Sequence, residues 1–148
     1  MNSLKSLDEL MYIDKQHLFL EKIGGKKVEL TTHHEKIASI ELHQGVPQTI
    51  RGQFNIARNM ALYSYFFYSL GSELQLKAYS VIEYALRIKT NRQDLMLRQL
   101  LTLANQKNWL QDSMFRHIKE PAEDNSYCHS LEKILPQQRN ESAHGIPR

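Results

Sequence analysis

Beyond Pro47 the apolar residues fall at helical intervals and nowhere alternate in the two-residue rhythm of a half-buried strand. Ile56, Met60, Tyr63, Phe67 and Leu70 occupy i, i+4, i+7, i+11 and i+14, one face of a helix. Gly71 supplies a stop, and Ser72 with Gln75 three positions later has the form of a capping box opening a second helix. Its stripe is Leu74, Ala78, Val81, Ala85 and Ile88. A third helix, from about Asp94 to Asn105, turns Leu97, Leu100, Leu101 and Ala104 inward. After a polar loop at 121–125, Ser126 caps a helix through Tyr127, Leu131, Ile134 and Leu135. Proline is strained inside a helix but suits a first turn. The spacing therefore predicts a break at Leu135 and a short helical piece over 136–144, ended by Gly145 and Pro147. The expected fold is all-α, an antiparallel bundle of four to five helices with short connections.

Residues 1–46 form an N-terminal extension to this bundle, which occupies 47–148. Leu4, Leu7 and Met11 fit a helical stripe, whereas 17–31 has the composition of a small hairpin with Gly24-Gly25 as its turn. A short helix over 32–43, opened by Thr32, is expected to follow.

The 148 residues are 41 % hydrophobic and 24 % charged, which excludes a collagen-like, disordered or membrane-spanning chain. The longest uncharged apolar-rich run, 59–70, falls well short of the roughly 20 residues a membrane helix needs. Asp8 and Glu9 interrupt any signal-peptide core, and the single cysteine, Cys128, forms no intrachain disulfide. These features predict a cytoplasmic protein with no membrane partner. The net charge is +3, but residues 45–118 carry nine basic residues against four acidic ones. Such a segment suits a polyanionic partner, and equally a solvated Lys/Arg face.

Chemistry concentrates in the run Arg139-Asn140-Glu141-Ser142-Ala143-His144-Gly145. A neutral imidazole exchanges protons at cellular pH, and a guanidinium offers a planar fork of donors to phosphate oxygens. Together they supply what a metal-free ribonuclease needs for attack of a ribose 2′-hydroxyl on its own phosphate. An Arg–His pair at this or one of two neighbouring spacings is expected roughly once by chance in such a chain, so only its context gives it weight.

That context, Arg-Asn-x-x-Ala-His-Gly after a helical hairpin carrying Ser80-Val81-Ile82-Glu83-Tyr84-Ala85-Leu86-Arg87, resembles a HEPN domain over residues 48–145. The resemblance implies a helical bundle of four or five helices, usually dimeric. Members are metal-independent ribonucleases or inactive RNA- or nucleotide-binding modules. On the matching positions it implies Arg139 and His144 as the catalytic pair, Asn140 as the polar residue that orients them, and Glu83 in a supporting role. It also implies a homodimer, RNA as substrate and, in a bacterial toxin setting, an antitoxin partner. Five helical positions separate the Arg and His side chains by about 140°. The resemblance therefore implies a two-fold interface that would bring two Arg/His pairs into one cleft, one His as base and the other as acid.

Other residues carry two readings each. Arg51, Asn55 and Arg58 form a polar stripe at i, i+4 and i+7, either a solvated face or a ridge that tracks an RNA backbone. Glu83 and Arg87 at i, i+4 are either a salt bridge or a support behind the site, with Arg87 a further RNA-binding candidate. Tyr63, Tyr65, Phe66, Phe67 and Tyr68 fit core and dimer packing better than base stacking. His33, His34, His43, Cys128 and His129 lack zinc-site spacing, so neither metal nor cofactor is expected. Beside the ribonuclease reading stand two others, a non-catalytic RNA- or nucleotide-binding module and a helical protein-interaction module.

Overall fold

A computed structural model describes residues 3–144 and is all-helical, with no strand among them. Six α-helices follow in order: α1 Lys15–Lys22, α2 Leu30–Ala38, α3 Gln48–Tyr63, α4 Leu70–Thr90, α5 Leu97–Gln106 and α6 Ser126–Ala143. Single 3-10 turns occupy Leu7–Glu9 and Asp112–Met114. The chain divides into two compact units, Met1–Ala78 and Tyr79–Arg148, with the division inside α4.

In the first unit, α2 packs on α3, and Ile50 and Ala57 are its buried apolar residues. The expected hairpin over 17–31 is absent, because α1 occupies its first half. Asp14 starts that helix, its carboxylate accepting from the Gln16 N–H at 2.8 Å. Gly24, at φ +97°, and Gly25 end it, their N–H groups donating to the Glu21 and Leu20 carbonyls at 3.2 and 2.8 Å. This is a Schellman closure, with the left-handed residue at the position glycine favours. A Cβ on Gly25 would lie 2.6 Å from the Leu20 carbonyl oxygen. The glycine pair is a helix stop, not a strand turn. Helix α2 begins at Leu30 rather than at Thr32, and ends at Ala38.

Helix α3 stops at Tyr63, so Phe67 and Leu70 of the expected stripe lie beyond it. Leu70 instead opens α4, which leaves Gly71 and Ser72 inside that helix and not as stop and cap. The interruption is held by side chains from the N-terminal segment. His33 Nε2 bonds the Ala61 carbonyl at 2.8 Å, His17 Nε2 bonds that of Ser64 at 3.0 Å, and Lys5 Nζ donates to that of Phe66 at 2.7 Å. Asp14 accepts from the Tyr68 N–H at 2.9 Å. These partners satisfy backbone groups that a broken helix leaves open.

In the second unit, α5 packs on α6. Leu97, Leu100, Leu101 and Ala104, the inward residues expected of α5, are buried, as are Cys128 and Leu131 of α6. Asn105 Nδ2 donates to the Cys128 carbonyl at 2.9 Å and to Glu132 at 2.8 Å, tying the two helices through a polar bridge.

Ser126 is the first residue of α6, not its cap, which is Asn125 in the left-handed conformation. The capping acceptor comes from elsewhere in the chain. The carboxylate of Asp112, 1 % exposed, accepts from the Tyr127 and Cys128 N–H groups at 3.2 and 2.9 Å. Asn125 Oδ1 in turn accepts from the Asp112 N–H at 2.9 Å. The break expected at Leu135 does not occur, and α6 runs through Pro136 to Ala143. Pro136 has no N–H for the Glu132 carbonyl, so the helix continues with that bond missing. Gly145 and Pro147, the expected end of the final helical piece, lie outside the described residues.

Candidate functional site

The second unit brings Glu83, Arg87 and Arg139 together. Glu83 and Arg87 stand one turn apart on α4, and Arg87 Nη2 donates to Glu83 Oε1 at 2.7 Å. The same nitrogen donates to the Leu95 carbonyl at 3.2 Å, in the connection before α5. From α6, Arg139 Nη2 lies 3.6 Å from Glu83 Oε2. That is an ion pair beyond hydrogen-bond length. One turn earlier on α4, the Tyr79 hydroxyl donates to Gln138 Oε1 at 2.8 Å.

Arg139 is the distinctive member. Its side chain is 28 % exposed, and among the described residues its guanidinium makes no hydrogen bond. Its Nε is sealed from solvent without an acceptor. A buried donor left unpaired costs about 1–3 kcal/mol. Arg87 carries the same sealed Nε but commits its outer nitrogen to two acceptors. The cluster holds two guanidinium charges against one carboxylate, Glu83, whose side chain is 18 % exposed.

His144 and Asn140 stand apart from this cluster. His144 follows the last turn of α6, its backbone N–H donating to the Asn140 carbonyl at 3.0 Å, and both side chains are exposed. The described residues thus bring Arg139 to Glu83, the carboxylate expected to support it, and leave the imidazole in solvent.

Arg51, Asn55 and Arg58 belong to the first unit, where they line a hollow of about 110 Å³ with Glu41 and Gln44. Their polar groups are largely engaged by the chain itself. Arg51 donates to the Val46 carbonyl and the Gln44 side chain at 3.0 and 2.7 Å. Arg58 donates to Asn55 and to the Ala38 carbonyl at 3.0 and 2.9 Å, with Glu41 3.7 Å away. The stripe ties the α2–α3 connection to α3.

Sequence reasoning did not find the network around Asp112. Burial works to raise the Asp112 pKa, but the Cys128 and Tyr127 donors outweigh it, and the carboxyl titrates below its ordinary value. Burial, with Asp112 alongside, pushes the Cys128 thiol up to about 11. That keeps it protonated at neutral pH and poorly nucleophilic. Burial likewise works against the ionisation of Glu132, but donors from Asn105, Thr102 and His129 outweigh it, and its pKa is lowered. No pattern in the sequence ties Asp112 to a helix that begins fourteen residues later, because a remote cap has no fixed spacing.

No group of three or more His, Cys, Asp or Glu able to hold a metal occurs among the described residues, and none of their helices is long and apolar enough to cross a membrane. The chain matches no family model, no curated protein and no solved structure.

Proposed function

We propose that this protein is a metal-independent endoribonuclease of HEPN type, working as a homodimer on RNA. The observation that carries the reading is Arg139, a partly buried side chain beside Glu83 whose guanidinium makes no hydrogen bond among the described residues. A phosphodiester supplies the acceptors such a fork lacks. Arg139 binds the non-bridging oxygens of the scissile phosphate and stabilises the charge that grows on them.

His144, exposed at the end of the same helix, removes the proton from the 2′-hydroxyl. The 2′-oxygen forms its bond to phosphorus as the bond to the 5′-oxygen breaks, and the partner's imidazole gives the leaving oxygen its proton. The products are a 2′,3′-cyclic phosphate and a 5′-hydroxyl. Asn140 orients the pair, and Glu83 holds Arg139.

A second reading, a non-catalytic RNA- or nucleotide-binding module, is favoured by one observation: the His144 ring has no partner among the described residues to fix its tautomer or direction. Labelled single-stranded RNA incubated with the protein in EDTA separates the two. Cleavage is expected from the parent, with a loss of about 100-fold or more in His144→Ala and Arg139→Ala. Cleavage that EDTA abolishes rejects the metal-free mechanism. Binding without cleavage supports the second reading.

A further inference from the structure

We propose that Arg87 is a positioning residue: by holding Glu83, it keeps that carboxylate from closing on Arg139 and leaves the Arg139 guanidinium open to a phosphodiester. This rests on the RNA reading above for its ligand, although its geometric part stands on distances alone.

A carboxylate and a guanidinium free to choose pair through two parallel bonds of about 2.7–2.9 Å. Glu83 does not pair with Arg139 in that way. Its Oε1 is bonded by Arg87 at 2.7 Å, and its Oε2 remains 3.6 Å from Arg139. Arg87 is anchored on its other side by the Leu95 carbonyl at 3.2 Å, so it holds Glu83 from a fixed point. All three charged groups are partly shielded, with 18 %, 31 % and 28 % of the Glu83, Arg87 and Arg139 side chains exposed. Two cations share one anion, and the cluster is short of a single negative charge. A phosphodiester monoanion supplies that charge, and Arg139 is the member with donors to spare.

Without the Arg87 charge, Glu83 is released to Arg139 and the pair becomes neutral. Without both Glu83 and Arg87, Arg139 is open again. A residue that only braces α4 behaves in the opposite way, since losses from two removed contacts accumulate.

The test uses the full chain and two probes, a fully 2′-O-methylated oligoribonucleotide that binds but cannot be cleaved, and its cleavable counterpart in EDTA. Arg87→Gln is expected to weaken affinity for the methylated probe about tenfold. Arg87→Lys, which keeps the charge, is expected within about threefold of the parent, and the double variant Arg87→Gln/Glu83→Gln is expected to bind more tightly than Arg87→Gln. A crystal structure of Arg87→Gln is expected to show Glu83 and Arg139 in a two-bonded pair. Melting curves establish that each variant is folded.

Parental affinity in Arg87→Gln, a double variant weaker than the single one, or an unchanged Glu83–Arg139 separation overturns the proposal. So does a parent that binds no RNA. Failure of the ribonuclease reading leaves a different trace, namely a parent that binds but does not cleave, with the pattern of affinities intact.

Discussion

The two compact units are held together by different means. Tyr79–Arg148 has an apolar seam of Leu97, Leu100, Leu101, Ala104, Cys128 and Leu131, crossed by buried polar bridges from Asn105 and Asp112. Met1–Ala78 buries little apolar surface and leaves Leu7, Met11, Tyr12, Phe19, Ile23 and Tyr63 exposed. Its order comes instead from side chains bonded to backbone: Lys5, His17 and His33 at the end of α3, and Arg51 and Arg58 on the α2–α3 connection. Apolar burial contributes on the order of 1.5–3 kcal/mol per large side chain, against about 1 kcal/mol for a typical hydrogen bond. The second unit is accordingly the stable platform. It is also the unit that carries Arg139, which suits a site whose geometry must be held closely.

Truncation of the seam is the strongest way to break this contrast. Leu100 is completely buried. Leu100→Ala is expected to lower unfolding stability by about 3 kcal/mol, from lost transfer energy and the cavity left behind. Ile56, half-exposed on α3, gives the matched comparison in the first unit, and Ile56→Ala is expected below about 1 kcal/mol. Urea titration followed by circular dichroism reads both. Equal losses would mean that the two units are one cooperative body with no privileged core.

Acid sharpens the same contrast. The Asp112 pKa is lowered by the backbone donors it caps, so its contribution is present above the ordinary Asp value of about 3.9 and is lost as pH falls through the folded value. Glu132 shares that sign. Hydrogen–deuterium exchange of the Tyr127 and Cys128 amides is expected to accelerate as pH drops from 5 to 3, after correction for intrinsic rates. Asp112→Asn, which keeps an acceptor without the charge, is expected to flatten that dependence, with a smaller loss at pH 7 than Leu100→Ala. An acid response unchanged by the substitution would show that Asp112 does not set it.

What the sequence made legible follows from which forces are local. The α5 stripe was readable because Leu97, Leu100, Leu101 and Ala104 face one partner helix throughout. The α3 stripe misled because Phe67 and Leu70 keep the period across a real interruption at Ser64. That interruption is fixed by Lys5, His17 and His33, residues 28 to 61 positions away, which no local pattern reveals. Gly24-Gly25 was legible as punctuation but not as its kind, since glycine serves hairpin turns and Schellman stops alike. Pro136 by its commonest behaviour predicts a helix break, and α6 instead carries it inside the helix. At the site, Glu83 and Arg139 are joined, yet the 3.6 Å gap between them and the bond from Arg87 to the Leu95 carbonyl were not foreseeable from spacing.

The mildest perturbation belongs to the first unit. Lys5 Nζ donates to the Tyr12 and Phe66 carbonyls at 2.9 and 2.7 Å, pinning the N-terminal segment beside a hollow of about 450 Å³ lined also by Tyr12, Leu18 and Phe67. The neighbours Leu4 and Leu7 are 99 % and 82 % exposed, so apolar contact adds little to the pin. Lys5→Ala is expected to cost no more than about 1 kcal/mol, because both carbonyls can turn to water. The loss is expected to be local: faster amide exchange over residues 5–14, with the amides of α5 and α6 unchanged. Loss of protection in α5 after so small a change would contradict the division between the units. Unchanged exchange over 5–14 would show that the segment is held by something other than Lys5.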